Sequence, residues 1–365
     1  MEMNTNMKAT ETRVKPEDLG YNITLEKFRQ ENHLESLDIG RIITEHKERY
    51  IVRTVQGEIE AEITGNMRYT ASSREDFPAV GDWVTLMICD QNLAIIHRIL
   101  PRSSLLKRKA AGHTGDIQVI AANIDVALLI QAADRDFNIN RLERYLTLCH
   151  SSNVIPAIVL TKTDLISTSN VEELIRNIKG RIKDVPVFPI SNKTKEGYEA
   201  IDRFIQKGKT YCMLGSSGVG KSTLLNNLAR KSIMKTASLS QSTNKGKHTT
   251  SRRELIILDK GGILIDNPGM REVGLADTGD GLETTFDTIL QYSTHCKFKD
   301  CTHTHETGCA VINAVQQGEI DRNSYHNYLK MVKEKTYIES TAIERKRKEK
   351  IFGKILKNYK KTMKD

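Results

Sequence analysis

A glycine-rich stretch in the second half of the chain has the residue types that hold phosphate groups. Gly215-Ser216-Ser217-Gly218-Val219-Gly220-Lys221-Ser222-Thr223 follows an apolar run and precedes a helical pattern, which is the context of a phosphate-binding loop. Its glycines let backbone N–H groups turn towards phosphate, and the dipole of the following helix adds positive potential. We expect Lys221 to bridge β- and γ-phosphate oxygens as a catalytic group, and Ser222 to bind Mg²⁺.

A second motif, earlier in the chain, offers selection of the base. In Thr161-Lys162-Thr163-Asp164 the carboxylate can accept hydrogen bonds from guanine N1–H and its exocyclic amine, a donor pair that adenine lacks. The stem of Lys162 can lie along the ring face. Thr161 stands where most GTPases carry Asn. Ser191, at the end of the next predicted strand, is a further candidate for contact with guanine.

Residues beyond the phosphate loop could complete the site. Asp266 follows an apolar strand and is predicted to hold Mg²⁺ through a water, while the Gly269 N–H is placed to meet the γ-phosphate. Between the loop and that strand, Thr250 is the predicted third magnesium ligand. Because the Met270 thioether cannot orient an attacking water, His248 is the candidate catalytic group, with a solvated loop histidine as the alternative.

The order of these motifs is unusual. In ordinary GTPases the phosphate loop opens the domain and the base motif comes late, but here Thr161 to Asp164 precede residues 215–223. Strand and helix patterns alternate around both motifs, which predicts a doubly wound α/β domain with its ligands at the carboxyl ends of the strands. The sequence therefore predicts a circularly permuted GTPase domain over residues 111–280.

A cluster of soft ligands follows that domain. The spacing Cys-x4-Cys-x-His-x5-Cys supplies three sulfurs and one imidazole, a set for one tetrahedral Zn²⁺ with a structural role: Cys296, Cys301, His303 and Cys309. His295 and His305 lie beside them and leave the fourth ligand open. Reduced cysteines without metal are the alternative.

The bulk composition limits the class of protein. The chain has 365 residues and a formal net charge of +9, which favours a polyanionic partner such as RNA, although aromatic residues make up only 5%. Because no apolar run suggests a signal peptide or a membrane span, we expect a cytoplasmic protein with no membrane partner. We also expect a monomer. Clustered cysteines fit a reducing compartment better than a disulfide framework.

The remaining segments divide as follows. Residues 1–37 are predicted to be a polar extension with a short helix at about Leu25 to Leu34. Residues 38–110 are predicted to be a five-stranded OB-fold-like β-barrel, with an SH3-like barrel as the alternative. Residues 281–365 are predicted to be a mostly α-helical zinc-binding domain that ends in a basic tail over residues 343–364. Positive charge is expected at the barrel exit, from Arg98, Arg102, Lys107, Arg108 and Lys109.

Together these residues resemble the ribosome small subunit-dependent GTPase A family, RsgA or YjeQ. The resemblance rests on the reversed motif order, on Gly246-Lys247-His248-Thr249-Thr250 and on the cysteine spacing, and covers about Ile39 to Ala314. It implies a GTPase that binds ribosomal RNA, assists late maturation of the small ribosomal subunit and is stimulated by that subunit. Departures from the family pattern are Thr161 for Asn, Asn267 for Thr and Met270 for Phe.

Three other functions stay open on the sequence. A GTP-gated clamp on ribosomal RNA, whose hydrolysis is incidental, fits Met270. An ATP-dependent phosphoryl-transfer enzyme shares the phosphate loop, but Asp164 argues against it. A membrane-bound GTPase could use the basic tail.

Overall fold

The computed structural model describes residues 14–46, 49–90, 92–109, 117–134, 137–230, 254–266 and 281–339. His248, Thr250, Gly269 and Met270 lie outside these ranges, as does the basic tail. The chain forms two units, the first of residues 1–137, 152–177 and 184–273, the second of residues 138–151, 178–183 and 274–365. The domain boundaries at residues 37, 110 and 280 stay predictions.

Five strands of the first unit close into a barrel: β1 (Asp38–His46), β2 (Arg49–Arg53), β3 (Glu58–Ile63), β4 (Trp83–Ile88) and β5 (Leu93–Ile99). Their order is β1-β2-β3-β5-β4; β1 pairs with β4 to close the barrel, and β3 runs parallel to β5. Strict alternation along β3 directs Ile59, Ala61 and Ile63 into the interior. This closure is OB-like and confirms the predicted class of the barrel.

The segment before the barrel is packed rather than solvated. This segment forms a 3-10 turn (Pro16–Leu19) and helix α1 (Ile23–Glu31). Its apolar side chains pack against Trp83 of β4 and against Leu100, which follows β5. The buried members of this cluster are Leu19, Tyr21, Leu25, Leu34, Trp83 and Leu100. Arg41 is buried beneath it and donates to the carbonyl oxygens of Leu19 (2.5 Å), Gly81 (3.1 Å) and Asn123 (3.0 Å). The described part of the predicted polar extension thus belongs to a folded core.

Helix α2 (Gly65–Thr70) and the strands β6 (Leu105–Lys109) and β7 (Ile117–Ala122) were not predicted from the sequence. Helix α2 begins after Thr64, whose hydroxyl caps it by accepting from the Met67 N–H. Strands β6 and β7 pair as a separate antiparallel hairpin. That hairpin leads the chain from the barrel into the central sheet.

The central sheet of the first unit has six strands: β8 (Val126–Ala132), β9 (Ile155–Thr161), β10 (Val187–Pro189), β11 (Thr210–Leu214), β12 (Glu254–Ile257) and β13 (Ile263–Asp266). Their order is β10-β9-β8-β11-β13-β12, all parallel except the edge strand β12. Every residue of β8 and β11 is buried, as continuous apolar runs predict for central parallel strands. Helices α5 (Tyr198–Phe204) and α6 (Lys221–Leu228) contribute Ile201, Leu224 and Leu225 to one core with the sheet.

The second unit is helical, with α3 (Ile139–Ser151), α7 (Gly281–Thr285), α8 (Asp287–Ser293), α9 (Ala310–Gln317) and α10 (Arg322–Glu339); α4 (Thr168–Arg181) precedes β10 in the chain. Its core includes Leu282, Phe286, Val311 and Met331. The buried Glu143 carboxylate accepts from Arg181 (2.7 Å) and Asn327 (2.6 Å), so its charge is paired and hydrogen-bonded. Among the described residues, no helix has both the length and the apolar character needed to cross a bilayer.

Candidate nucleotide site and metal centre

The central sheet changes direction between β8 and β11. From β8 the chain moves outwards to β9 and β10, then returns to β11 and moves the other way to β13. In open α/β sheets a ligand binds at such a switch point, outside the carboxyl ends of the strands. Thr161 ends β9 and the glycine-rich loop follows β11, so both predicted motifs lie at this edge.

The glycine-rich loop, residues 215–220, depends on glycine at two positions. A Cβ on Gly215 would lie 2.4 Å from the carbonyl oxygen of Ile130, so the loop starts against β8 with no room for a side chain. A Cβ on Gly220, whose φ is +93°, would lie 2.5 Å from Nδ2 of Asn192. These two close approaches fix where the loop leaves the sheet and where it enters α6.

Lys221 is the first residue of α6, and its ammonium lies over the loop. It donates to the carbonyl oxygens of Gly215 (2.6 Å) and Ser216 (2.5 Å). Ser222 and Thr223 occupy the first turn of α6 and are half-buried, while Ser217 and Gly218 are exposed. The ammonium is thus held at the loop whose backbone N–H groups would bind a phosphate group.

The base motif contacts the phosphate loop directly. The buried hydroxyl of Thr161 lies 2.6 Å from the carbonyl oxygen of Val219 and donates to it, and a longer contact of 3.3 Å reaches Gln131 O. In the next loop, the Asn192 side chain donates to Gly220 O at 3.1 Å. The carbonyl groups of Val219 and Gly220 in the phosphate loop therefore accept hydrogen bonds from the base motif and from the loop after β10.

The carboxylate of Asp164 is held by Ser191. The Ser191 hydroxyl donates to Asp164 Oδ1 at 2.7 Å and accepts from the backbone N–H groups of Lys193 (3.2 Å) and Thr194 (3.0 Å). Ser191 is fully buried whereas Asp164 is exposed. The Ser191 hydroxyl therefore supports the Asp164 carboxylate, and its contact with guanine stays a prediction.

The backbone changes direction at Lys162 and Thr163, directly after the end of β9. Lys162 has a φ of +60°, and its ammonium pairs with Asp134 Oδ2 at 3.0 Å, just after β8. The Thr163 N–H donates to Ile190 O at 3.4 Å. The sequence analysis did not identify Asp134 or Asn192 as site residues. The only signals for them were that Asp134 comes soon after a predicted strand and that Asn192 is next to Ser191.

The strand register places the last predicted residue at the same edge. Cys212 of β11 pairs with Ile265 of β13, so the backbone of Asp266 lies level with the end of β11. The Asp266 side chain, together with His248, Thr250 and Gly269, lies outside the described part of the chain. The structure thus brings together the phosphate loop, the base motif, Ser191 and the Asp266 backbone.

The second unit carries the predicted metal cluster. The ligand atoms of Cys296, Cys301, His303 and Cys309 all lie within 4.8 Å of one another. The Sγ atoms of Cys296 and Cys309 are 3.8 Å apart, and His303 Nδ1 lies 3.6 Å and 3.5 Å from them. A tetrahedral zinc ion with bonds of about 2.3 Å to sulfur and about 2.0–2.1 Å to nitrogen separates two sulfurs by about 3.8 Å, and a sulfur from a nitrogen by about 3.6 Å.

These distances fit one metal ion and select the fourth ligand. His303 is buried and directs Nδ1 at the sulfurs, while His295 and His305 are exposed and use Nδ1 on neighbouring threonines. All the cysteines of the cluster are free thiols. The Cys3His set could therefore hold a metal ion without a disulfide.

The start of α9 supplies positive potential to the cluster. The Ile312 N–H donates to Cys309 Sγ at 3.4 Å. Burial acts to raise the pKa of Cys296, but hydrogen bonds from the N–H groups of Val311 and Ala310 outweigh it and hold that pKa below its ordinary value. Thiolate is the form that binds metal, so this helix N-terminus favours the ligand state.

Three of the basic side chains predicted at the barrel exit bind other residues of this chain. Arg102 pairs with the buried carboxylate of Asp82 at 2.6 Å, and Lys107 with Glu75 at 3.1 Å. Arg98 donates to the Asn32 side chain and lies over the ring of Phe28. These three side chains stabilise the fold, and the side chains of Arg108 and Lys109 lie outside the described set.

Comparison with known proteins supports the same assignment. The family model described as RsgA GTPase matches residues 99–276. The protein of Bacteroides thetaiotaomicron named small ribosomal subunit biogenesis GTPase RsgA 1 is 39% identical over 344 residues, which cover 94% of this chain and 96% of the relative. A protein of the same name from Oceanobacillus iheyensis is 41% identical over 82% of this chain and 86% of its own length.

Solved structures agree with the fold. The crystal structure of YjeQ from Thermotoga maritima matches with a TM-score of 0.59 and 25% identity, over 82% of this chain and 98% of that one. The structure of YloQ, described as a circularly permuted GTPase, matches with the same TM-score and identity over 85% of this chain. The observed strand order, with the base motif before the phosphate loop, is the permutation predicted from the sequence. By its motifs, its fold and its relatives, the chain belongs to the RsgA GTPase family and is a GTP hydrolase.

Proposed function

We propose that the chain binds one guanine nucleotide across the edge of the central sheet. The base would be held by Thr161 to Asp164, with Ser191 supporting the carboxylate, and the phosphates by residues 215–223 and the Gly269 N–H. The hydrogen bonds from Thr161 to Val219 and from Asn192 to Gly220 support this placement, because they join the two half-sites. The ligand set is GTP before hydrolysis and GDP after it.

Mg²⁺ is the expected companion of the triphosphate, and Ser222, Thr250 and Asp266 are its proposed ligands. The ion would neutralise charge on the β- and γ-phosphate oxygens. Support comes from the place of Ser222 in the first turn of α6 and of Asp266 at the end of β13, level with the end of β11. For the Cys3His cluster we propose one structural Zn²⁺, because thiolate and imidazole suit that ion and all four positions are protein ligands.

Hydrolysis needs a group that orients water, and the thioether of Met270 cannot do so. His248 is our candidate, with Lys221 stabilising the charge on the phosphate oxygens. Because His248 is the only imidazole between the phosphate loop and Asp266 in the sequence, its removal isolates this role. We expect slow turnover by the chain alone.

The proposed partner is the small ribosomal subunit and its RNA, as the names of the relatives suggest. The OB-like barrel belongs to a class that binds oligonucleotides. In the second unit, Phe298 is 46% exposed and stands between the exposed Lys297 and Lys299, on the loop joining two metal ligands. An exposed ring flanked by cations is suited to stacking on an unpaired base beside phosphates.

With this partner, we propose that the protein is a monomeric assembly factor of the cytoplasm that acts late in subunit maturation. The net charge of +9 favours association with RNA. Thr250 and Gly269 would contact Mg²⁺ and the γ-phosphate when GTP is bound, and hydrolysis would remove those contacts. Gain and loss of γ-phosphate contacts is a common way for a GTPase to control a partner surface.

The test is GTP turnover with and without purified small ribosomal subunits, for the wild-type chain and for His248→Ala. We expect strong stimulation of the wild type and loss of stimulated turnover in the variant, with GDP binding retained. Equal turnover with and without subunits would rule out the proposed function. Full stimulation of His248→Ala would move the catalytic role to a group on the subunit.

The second candidate is a GTP-gated RNA clamp whose hydrolysis is incidental, favoured by Met270 at a water-orienting position. Release from subunits separates the two. The clamp predicts that a non-hydrolysable GTP analogue releases the protein as fast as GTP does. The proposed GTPase predicts that the analogue traps it on the subunit.

A further inference from the structure

The loop after β10 is attached to the phosphate loop by one side-chain amide. Asn192 donates through Nδ2 to Gly220 O at 3.1 Å, and its Oδ1 accepts from the Tyr198 hydroxyl at 2.5 Å. Both ends of the amide are therefore engaged. Its position is tight, since a Cβ on Gly220 would come within 2.5 Å of Nδ2.

Tyr198 extends this contact to the helix behind the phosphate loop. Its hydroxyl accepts from Asn227 Nδ2 at 2.7 Å, and the same Nδ2 lies 3.3 Å from the backbone oxygen of Asn192. Burial raises the pKa of Tyr198 to about 12, so the phenol keeps the proton that it donates to Asn192. Asn192, Tyr198 and Asn227, here called the amide–phenol network, join the loop after β10 to both ends of α6.

The ring of Tyr198 packs against the apolar core of the central sheet, but the hydrogen bonds of the network lead away from that core to the two loops. The members of the network are half-buried, and their hydrogen bonds connect the loop carrying Ser191 to Gly220 and α6. Ser191 in turn holds Asp164. The chain of contacts thus runs from the base carboxylate through Ser191 and Asn192 to the last glycine of the phosphate loop.

We propose that the amide–phenol network is a positioning device that sets the separation between the base half-site and the phosphate half-site before nucleotide binds. The inference rests on the proposed nucleotide site. A nucleotide that bridges both loops binds more tightly when their separation is already fixed, because less ordering accompanies binding. Loosening the network therefore weakens bridging ligands while the chemistry at the phosphates is preserved.

A positioning role and a merely structural one differ in what they change. A structural role lowers the melting temperature and the fraction of active protein together. A positioning role raises the Kd for GDP and the KM for GTP, and leaves kcat at saturating GTP unchanged. It also predicts that the effects of substituting Tyr198 and Asn227 on GDP affinity do not add, because either substitution breaks the same network.

The experiment uses the full chain with zinc and Mg²⁺, and measures GDP affinity, GTP kinetics and melting temperature. Tyr198→Phe removes one oxygen atom and Asn227→Ala removes its partner. We expect each to raise the Kd for GDP about fivefold to twentyfold, the double variant to match the larger single effect, and kcat to stay within about twofold. Tyr211→Phe is the matched control, because its phenol bonds Phe204 O and the Gln206 N–H in the same core without reaching Asn192.

Two results would overturn the proposal. One is a GDP affinity within twofold of wild type for Tyr198→Phe and Asn227→Ala; the other is an equal loss of affinity for Tyr211→Phe. Lys221→Ala separates this failure from a failure of the nucleotide site. If the wild type binds GDP and Lys221→Ala does not, the site stands and only the positioning role falls.

Discussion

The hydroxyl of Thr161 donates to the backbone oxygen of Val219 over 2.6 Å, joining residues 58 positions apart in the chain. Thr161 ends β9 at the base motif, and Val219 lies in the phosphate loop. The residue that departs from the common Asn thus keeps one hydrogen bond between the two half-sites.

Thr161→Val tests that contact with little change of shape. It leaves the buried Val219 carbonyl with one hydrogen bond fewer, a loss of about 1 kcal/mol or more, so GDP affinity should fall about fivefold to tenfold. Titration of the variant with GDP measures it. Thr147→Val is the control: it removes a buried hydroxyl that bonds Glu143 O and Thr285, and should leave GDP affinity unchanged. Equal GDP affinity of Thr161→Val and wild type would contradict the contact's role.

Removal of metal should unfold the helical unit. The Cys3His ligands hold the segment between α8 and α9, so chelation of zinc should lower the melting temperature and expose thiols to a colorimetric reagent. Metal analysis should find about one zinc per chain. Cys301→Ser should lose that zinc, whereas Cys89→Ser, an exposed thiol outside the cluster, should keep it. A zinc-free protein with an unchanged melting temperature would refute the structural role.

One ion pair of the helical unit should give stability that depends on pH. Arg144 binds Glu334 through two contacts of 2.6 Å and 2.9 Å, and these hydrogen bonds hold the pKa of Glu334 below its ordinary value. Because the folded pKa is lowered, the stabilisation is present above about pH 4.5 and is lost as the pH falls through the folded value. The pair is partly exposed, so its contribution after solvent screening is about 0.5–1 kcal/mol.

Urea unfolding of wild type and Glu334→Gln measures that contribution. The variant should be less stable than wild type at about pH 7, and the difference should shrink as the pH falls through the folded pKa of Glu334. Because acid affects both proteins at their other titratable groups, the difference between their free energies of unfolding reports on residue 334. A constant difference across this range would show that the pair does not act through its charge.

Much of the fold was predictable because its signals are local. The apolar run at Thr210–Leu214, the glycine-rich loop and the helix after it follow from composition and spacing, and the alternation along Glu58–Ile63 gave a barrel strand. The β6–β7 hairpin was missed because Lys107 and its basic neighbours suggested surface charge rather than a strand. Helix α2 was missed because it opens on Gly65, a poor helix former.

The site was predictable in its residue types but not in its connections. Nothing local in the sequence indicates that Asn192 meets Gly220 or that Asp134 meets Lys162, since those pairs are made by the sheet order. For the same reason the hydrogen bond from Ser191 to Asp164 could not be predicted from the sequence. Arg102 was expected to contribute positive charge at the barrel exit, but the fold places the buried carboxylate of Asp82 beside it.

The central claim is that Asp164 and Lys221 bind opposite ends of one guanine nucleotide, and Asp164→Asn tests it most directly. Xanthine carries a carbonyl where guanine has its exocyclic amine, so an amide at residue 164 should pair with xanthine while the phosphates stay on the loop. We predict that Asp164→Asn loses affinity for GDP and gains it for xanthosine diphosphate, and that adding Lys221→Ala abolishes both. A variant that keeps its GDP affinity and does not gain xanthosine diphosphate binding would contradict the account.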